Sequence, residues 1–79
     1  MEIRYYAGAA DAAHTPTATV DGAGLTAAEL LDRLGSGNEA LAAVLSRCSL
    51  LVDGSPVRDP AEHIPGTARV DVLPPFAGG

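Results

Sequence analysis

Apolar and polar positions alternate at the start of the chain, where Ile3, Tyr5 and Ala7 interleave with Glu2, Arg4 and Tyr6. A period of two is the signature of a half-buried strand, and Gly8 ends it. Thr15-Pro16-Thr17-Ala18-Thr19-Val20 follows a loop of small residues and predicts a second strand, with Pro16 at its start or on an edge. Two strands this close in sequence predict an antiparallel pair. The pattern then changes period. Thr26-Ala27-Ala28-Glu29 is a capping box, Leu25 and Leu30 stand where a hydrophobic staple sits, and Ala27, Leu30, Leu31 and Leu34 form one apolar stripe. Gly35 is the expected stop. A second, shorter helix is expected from about Asn38 to Arg47, capped by Ser36 or Asn38, with Leu41, Val44 and Leu45 as its stripe. Ser49-Leu50-Leu51-Val52, the turn Asp53-Gly54 and Ser55-Pro56-Val57 predict a second hairpin. Turns flank Glu62-His63-Ile64, and Arg69 to Leu73 forms the last strand, with Val70 and Val72 facing one way. The order β-β-α-(α)-β-β-β predicts a two-layer α+β domain, a mixed sheet packed against one main helix with a second short helix, its other face wet.

Composition narrows the function. Ten acidic residues against five arginines, with no lysine, leave a net charge of −5. Such a surface repels phosphate backbones, and with only Tyr5, Tyr6 and Phe76 as aromatics there is no platform for stacked bases, so nucleic acid is not an expected partner. An acidic protein is instead steered toward basic protein surfaces. No apolar run approaches bilayer length, no signal peptide is visible after Met1, and the single Cys48 cannot close an intrachain disulfide, all of which predict a cytoplasmic protein with no membrane role.

The chemistry concentrates at the end of the sequence, Leu73-Pro74-Pro75-Phe76-Ala77-Gly78-Gly79. Two prolines favour an extended rod with little freedom left to lose on docking, and the two glycines let backbone approach a partner where any Cβ would collide. Residues 1–73 are expected as the folded domain and residues 74–79 as an extended tail. Six residues at about 3.1 Å each reach about 19 Å beyond the sheet, enough to enter a buried site. Gly79 is the expected reacting residue, Ala77 and Gly78 the inserted segment, and Leu73, Pro75 and Phe76 the apolar contact patch, which Tyr6 joins if the first and last strands pair centrally. Phe76 has a second reading, as the last residue packed on the core.

Other motifs carry less. Gly22-Ala23-Gly24-Leu25-Thr26-Ala27 matches a loose dinucleotide pattern, but the chain lacks the length for a doubly wound sheet, and a tight approach to the helix explains both glycines. His14 and His63 have no partners at metal-ligand spacing and read as exposed loop residues. Cys48 reads as a small buried or half-buried group, and Glu29, Asp32 and Glu39 as caps and solvated faces.

With Ile3-Arg4-Tyr5-Tyr6-Ala7 as first strand, the Val52-Asp53-Gly54 turn and the Pro-Pro-Phe-Ala-Gly-Gly ending, the chain resembles over its whole length the ubiquitin-like β-grasp sulfur carriers of the MoaD/ThiS family. The proline pair resembles the small subunit of molybdopterin synthase most. That branch commonly follows the first strand with an Arg and acidic residues, where this chain has Gly8-Ala9-Ala10-Asp11. The resemblance implies a non-catalytic carrier with no bound cofactor. An E1-like enzyme of the MoeB/ThiF type spends ATP to adenylate the Gly79 carboxylate, a persulfide donor supplies sulfur, and the resulting thiocarboxylate serves a MoaE-type large subunit of molybdopterin synthase in molybdenum cofactor biosynthesis. The same chemistry serves carriers for thiamine thiazole, cysteine or specialised metabolites. A ubiquitin-like protein modifier and an inert β-grasp interaction module remain the other readings.

Overall fold

The computed structural model describes residues 1–21 and 24–75. Its elements run β1 (Glu2–Tyr5), α1 (Gly8–Ala13), β2 (Thr17–Thr19), α2 (Ala27–Gly35), α3 (Glu39–Leu45), β3 (Ser49–Val52), β4 (Ser55–Pro56) and β5 (Arg69–Leu73). The five strands form one mixed sheet in the order β2-β1-β5-β3-β4, antiparallel except for the central parallel pair β1 and β5. This is the ubiquitin-like β-grasp architecture. Both edges are blunted by proline, with Pro16 just before β2 and Pro56 within β4, where a missing N–H interrupts no interior ladder.

One face of the sheet meets the helices. Ile3, Tyr5, Leu50, Val70 and Val72 join Leu30 of α2, Leu41 and Leu45 of α3, and Ile64 from the long β4–β5 connection in a single buried cluster. The side chains of Ile3, Leu30, Ile64, Val70 and Val72 are the largest fully enclosed ones, so β5 contributes two of five anchors from alternate positions.

Local sequence accounts for α2. Thr26 accepts the Glu29 N–H at 3.1 Å while the Glu29 carboxylate accepts the Thr26 N–H at 2.9 Å, the reciprocal capping box. Asn38 caps α3 by accepting the Leu41 N–H at 3.0 Å. Asp53 and Gly54 both take positive φ, 49° and 85°, the twisted two-residue turn that joins β3 to β4. The Asp53 carboxylate also accepts the Arg69 N–H at 2.9 Å, tying that turn to the first residue of β5.

Three expectations need correction. The small-residue loop after β1 is the helix α1: Ala7 turns the chain at φ 48°, the alanines that follow are strong helix formers, and the Asn38 amide donates to the Ala12 carbonyl at 3.0 Å. Ala9 is the buried foot of this helix, which packs on α3. Gly35 is not a left-handed stop. It lies inside the last turn of α2, where an added Cβ would stand 2.9 Å from the Ala42 Cβ, so its absence allows α2 and α3 to close on each other. The left-handed residue is Gly37, at φ 76°. Finally, the outer face of the sheet is not wet throughout, because Asp71 in its centre is only 8% exposed.

Candidate functional site: the end of the sheet where the tail departs

β5 is hydrogen-bonded to β1 on one side and β3 on the other, Val72 lying opposite both Tyr5 and Leu50. It is the central strand of the five. Leu73, opposite Ser49, closes the ladder, and the two residues after it are prolines, which have no N–H to extend it. Sheet pairing therefore stops at Leu73 and the chain leaves the sheet at its centre. Leu73 and Pro74 are half-buried and Pro75 is exposed.

The parallel register brings Tyr6 to the same end. Its backbone N–H donates to the Val72 carbonyl at 3.2 Å, and its ring, 40% exposed, is the one large hydrophobic side chain exposed among the described residues. The Tyr6 hydroxyl donates to Asp71 Oδ1 at a long 3.4 Å, and the Arg69 guanidinium approaches the same oxygen at 3.8 Å. These partners explain how a carboxylate can sit nearly covered on the outer face. Tyr6 and Leu73 thus share one end and one face of the sheet, with Pro75 following in the chain. Phe76, Ala77, Gly78 and Gly79 lie outside the described residues.

Sequence alone does not single out Asp71, which reads as an ordinary outward strand position, nor the residues on the other side of the tail. There Ala43, Val44 and Arg47, from the end of α3 and the turn after it, line an open groove with Pro74 and Pro75. Val44 belongs to the apolar stripe of α3 but is only half-buried, which the stripe itself does not reveal.

The remaining candidates are placed elsewhere. His63 is exposed, with Nδ1 2.9 Å from the Gly24 carbonyl, and His14 is the left-handed residue closing α1. Cys48 is half-buried, its thiol donating to the Val44 carbonyl at 3.2 Å, and burial pushes its pKa up, which keeps the unreactive protonated form. Among the described residues no three His, Cys, Asp or Glu gather as metal ligands, and no helix is long and apolar enough to cross a membrane.

A β-grasp sheet whose central strand ends in a proline pair fits the class of ubiquitin-like small carriers and modifiers. The ThiS family model matches residues 3–79, and the chain belongs to that family. Similar solved structures include SAMP1 from Haloferax volcanii, 25% identical at a TM-score of 0.82, covering 100% of this chain and 98% of that one. The small archaeal modifier protein 1 (SAMP1) from Methanosarcina acetivorans is 21% identical with a TM-score of 0.81, covering 99% and 94%. The Haloferax volcanii HVO 2177 protein is 23% identical with a TM-score of 0.74, covering 99% and 84%. The latter two likenesses concern the fold alone. Among curated proteins none matches significantly.

Proposed function

We propose that this protein is a sulfur carrier whose Gly79 carboxylate is the working group. The observation that carries the reading is the departure of the chain from the doubly paired β5 through Pro74-Pro75, within a family match that runs on through Gly79. A stiff connection to the central strand presents the terminal acyl group at a defined reach, which lowers the entropy lost on entering a partner's cleft.

A carboxylate is a poor electrophile. An E1-like enzyme using ATP converts it to an acyl-adenylate with release of pyrophosphate, and a persulfide sulfur attacks the acyl carbon with AMP as leaving group. Thiol cleavage of the resulting acyl disulfide leaves the thiocarboxylate, a softer nucleophile than the group it replaces. The carrier supplies no acid or base to these steps. Its contribution is shape: Gly78 and Gly79 offer no side chain to a narrow site, while Tyr6, Leu73, Pro75 and Phe76 hold the body against the partner. The acceptor that best suits the Pro-Pro-Phe-Ala-Gly-Gly ending is a MoaE-type large subunit, making this chain the small subunit of molybdopterin synthase.

Intact-mass measurement after incubation with the cognate E1-like enzyme, ATP and a persulfide donor tests the carrier. Exchange of one oxygen for sulfur is expected, and an unchanged terminus overturns it. Dithiolene formation on adding a MoaE-type subunit and the cyclic pyranopterin precursor tests the acceptor, and sulfur loading without transfer there redirects the carrier to another pathway. Removal of Gly79 is expected to abolish loading without altering the fold.

The likeness to SAMP1, a protein named a small archaeal modifier, favours a second reading in which the same activated glycine forms an isopeptide with lysines of other proteins. Without a lysine of its own, this chain forms no lysine-linked self-chains. Glycyl-glycine remnants on target lysines after digestion are the expected signature.

A further inference from the structure

The groove beside the tail has apolar walls and one charge. Ala43, Val44, Pro74 and Pro75 supply the walls, and among the described residues Arg47 is the one ionisable residue lining it. Its place is set by the fold: α3 ends at Leu45, Arg47 donates its backbone N–H to the Val44 carbonyl, and Cys48 leads directly into β3, whose Ser49 lies opposite Leu73. The last turn of α3 is therefore held against the segment that follows β5.

Among the described residues the guanidinium groups of Arg47 and Arg58 enter no ion pair and no side-chain hydrogen bond, whereas Arg4 and Arg69 have carboxylate neighbours and Arg33 donates to the Asp21 carbonyl; of the two free ones, Arg47 is the one beside the tail. In a protein of net charge −5, the charged side chain described in this groove is a cation. A partner surface that covers Val44 and Pro75 also strips water from Arg47. An unpaired desolvated cation opposes association, so whatever fills this groove must bring an acceptor with it. The planar guanidinium fork is matched by a carboxylate accepting two parallel hydrogen bonds.

We propose that the groove receives an apolar side chain of the activating enzyme together with an adjacent Asp or Glu that pairs with Arg47. Arg47 thereby acts as a specificity-determining contact at the foot of the tail. This inference rests on the carrier reading, and it adds a negatively charged contact to a partner that the net charge alone describes as basic.

The test is the steady-state adenylation of the carrier by its cognate E1-like enzyme, with carrier concentration varied, for the native protein, Arg47→Glu, Arg47→Gln and Arg47→Lys. Arg47→Glu is expected to raise KM for the carrier about tenfold or more with kcat little changed, Arg47→Gln to raise it less, and Arg47→Lys to restore part of the loss by returning charge without the fork. The difference between native and Arg47→Glu is expected to shrink as salt is raised. Equal KM for native and both Arg47→Glu and Arg47→Gln overturns this inference and leaves the carrier reading standing. Absence of adenylation of the native protein overturns the carrier reading and this inference with it. Thermal melts of each variant accompany the kinetics, and should Arg47→Glu fail to fold, Arg47→Gln decides the matter.

Discussion

The two faces of β5 divide the labour of this protein. Val70 and Val72 are wholly enclosed beneath the helices, while Asp71 and Leu73, their immediate neighbours, point to the face that carries Tyr6. Both Val72 and Asp71 are nearly inaccessible, but for different reasons. Val72 is covered by apolar packing, which contributes about 25 cal/mol for each Å² removed from water. Asp71 is covered by a long hydrogen bond and a partly exposed arginine, contacts of small net worth. Stability therefore belongs to the inner face, while the proposed function assigns recognition to the outer face and the tail. A strand can serve both because its side chains alternate.

The strongest challenge to that division is Leu30→Ala, which removes the α2 anchor over the inner face. It is expected to cost about 2–5 kcal/mol in denaturant unfolding, with adenylation of the remaining folded protein unchanged. A loss below about 1 kcal/mol would show the inner face to be less decisive than its burial implies. Gly35→Ala comes next. The new Cβ meets Ala42 at 2.9 Å, and although alanine favours helix, the forced separation of α2 from α3 is expected to leave a net loss of about 1–2 kcal/mol, read as a lower melting temperature.

A smaller effect, about 1 kcal/mol, is expected from Thr26→Ala, which opens the capping box. The box also has a pH signature. Hydrogen bonds from the Thr26 backbone and hydroxyl hold the Glu29 carboxyl below the ordinary glutamate range. A carboxyl with a lowered folded pKa stabilises at neutral pH and loses that contribution as pH falls through the folded value. Stability measured against pH should therefore decline less steeply on the acid side for Glu29→Gln than for the native protein. The smallest effect belongs to the outer face: Tyr6→Phe deletes the 3.4 Å bond to Asp71 and is expected to change stability by less than about 0.5 kcal/mol. Tyr6→Ala is expected to raise the KM of the carrier for its activating enzyme without lowering the melting temperature comparably. A large stability loss in Tyr6→Phe would erase the contrast between the faces.

How much could be read beforehand follows the range of the interactions. The capping box at Thr26 and Glu29 and the paired positive φ at Asp53 and Gly54 are satisfied within four residues, so the residue types announce them. Helix α1 was hidden for the opposite reason. Six residues from Gly8 to Ala13 carry no apolar stripe of their own, and the helix is secured by tertiary contacts, the Asn38 amide on the Ala12 carbonyl and the burial of Ala9. Gly35 has two physical uses that one letter cannot distinguish, a left-handed turn or a close approach, and only the position of Ala42 selects the second.

The candidate site divides the same way. The proline pair, the bare glycines and the alternation of β5 are properties of the covalent chain, and by themselves they determine that strand pairing cannot continue through Pro74 and Pro75. That Tyr6 stands beside Leu73, that Asp71 is covered, and that Arg47 lies at the foot of the tail were decided by the parallel pairing of β1 with β5 and the antiparallel pairing of β3 with β5. These pairings join residues tens of positions apart, and no local preference encodes which strands become neighbours. That choice belongs to the one arrangement in which the apolar faces of the strands and helices bury one another together.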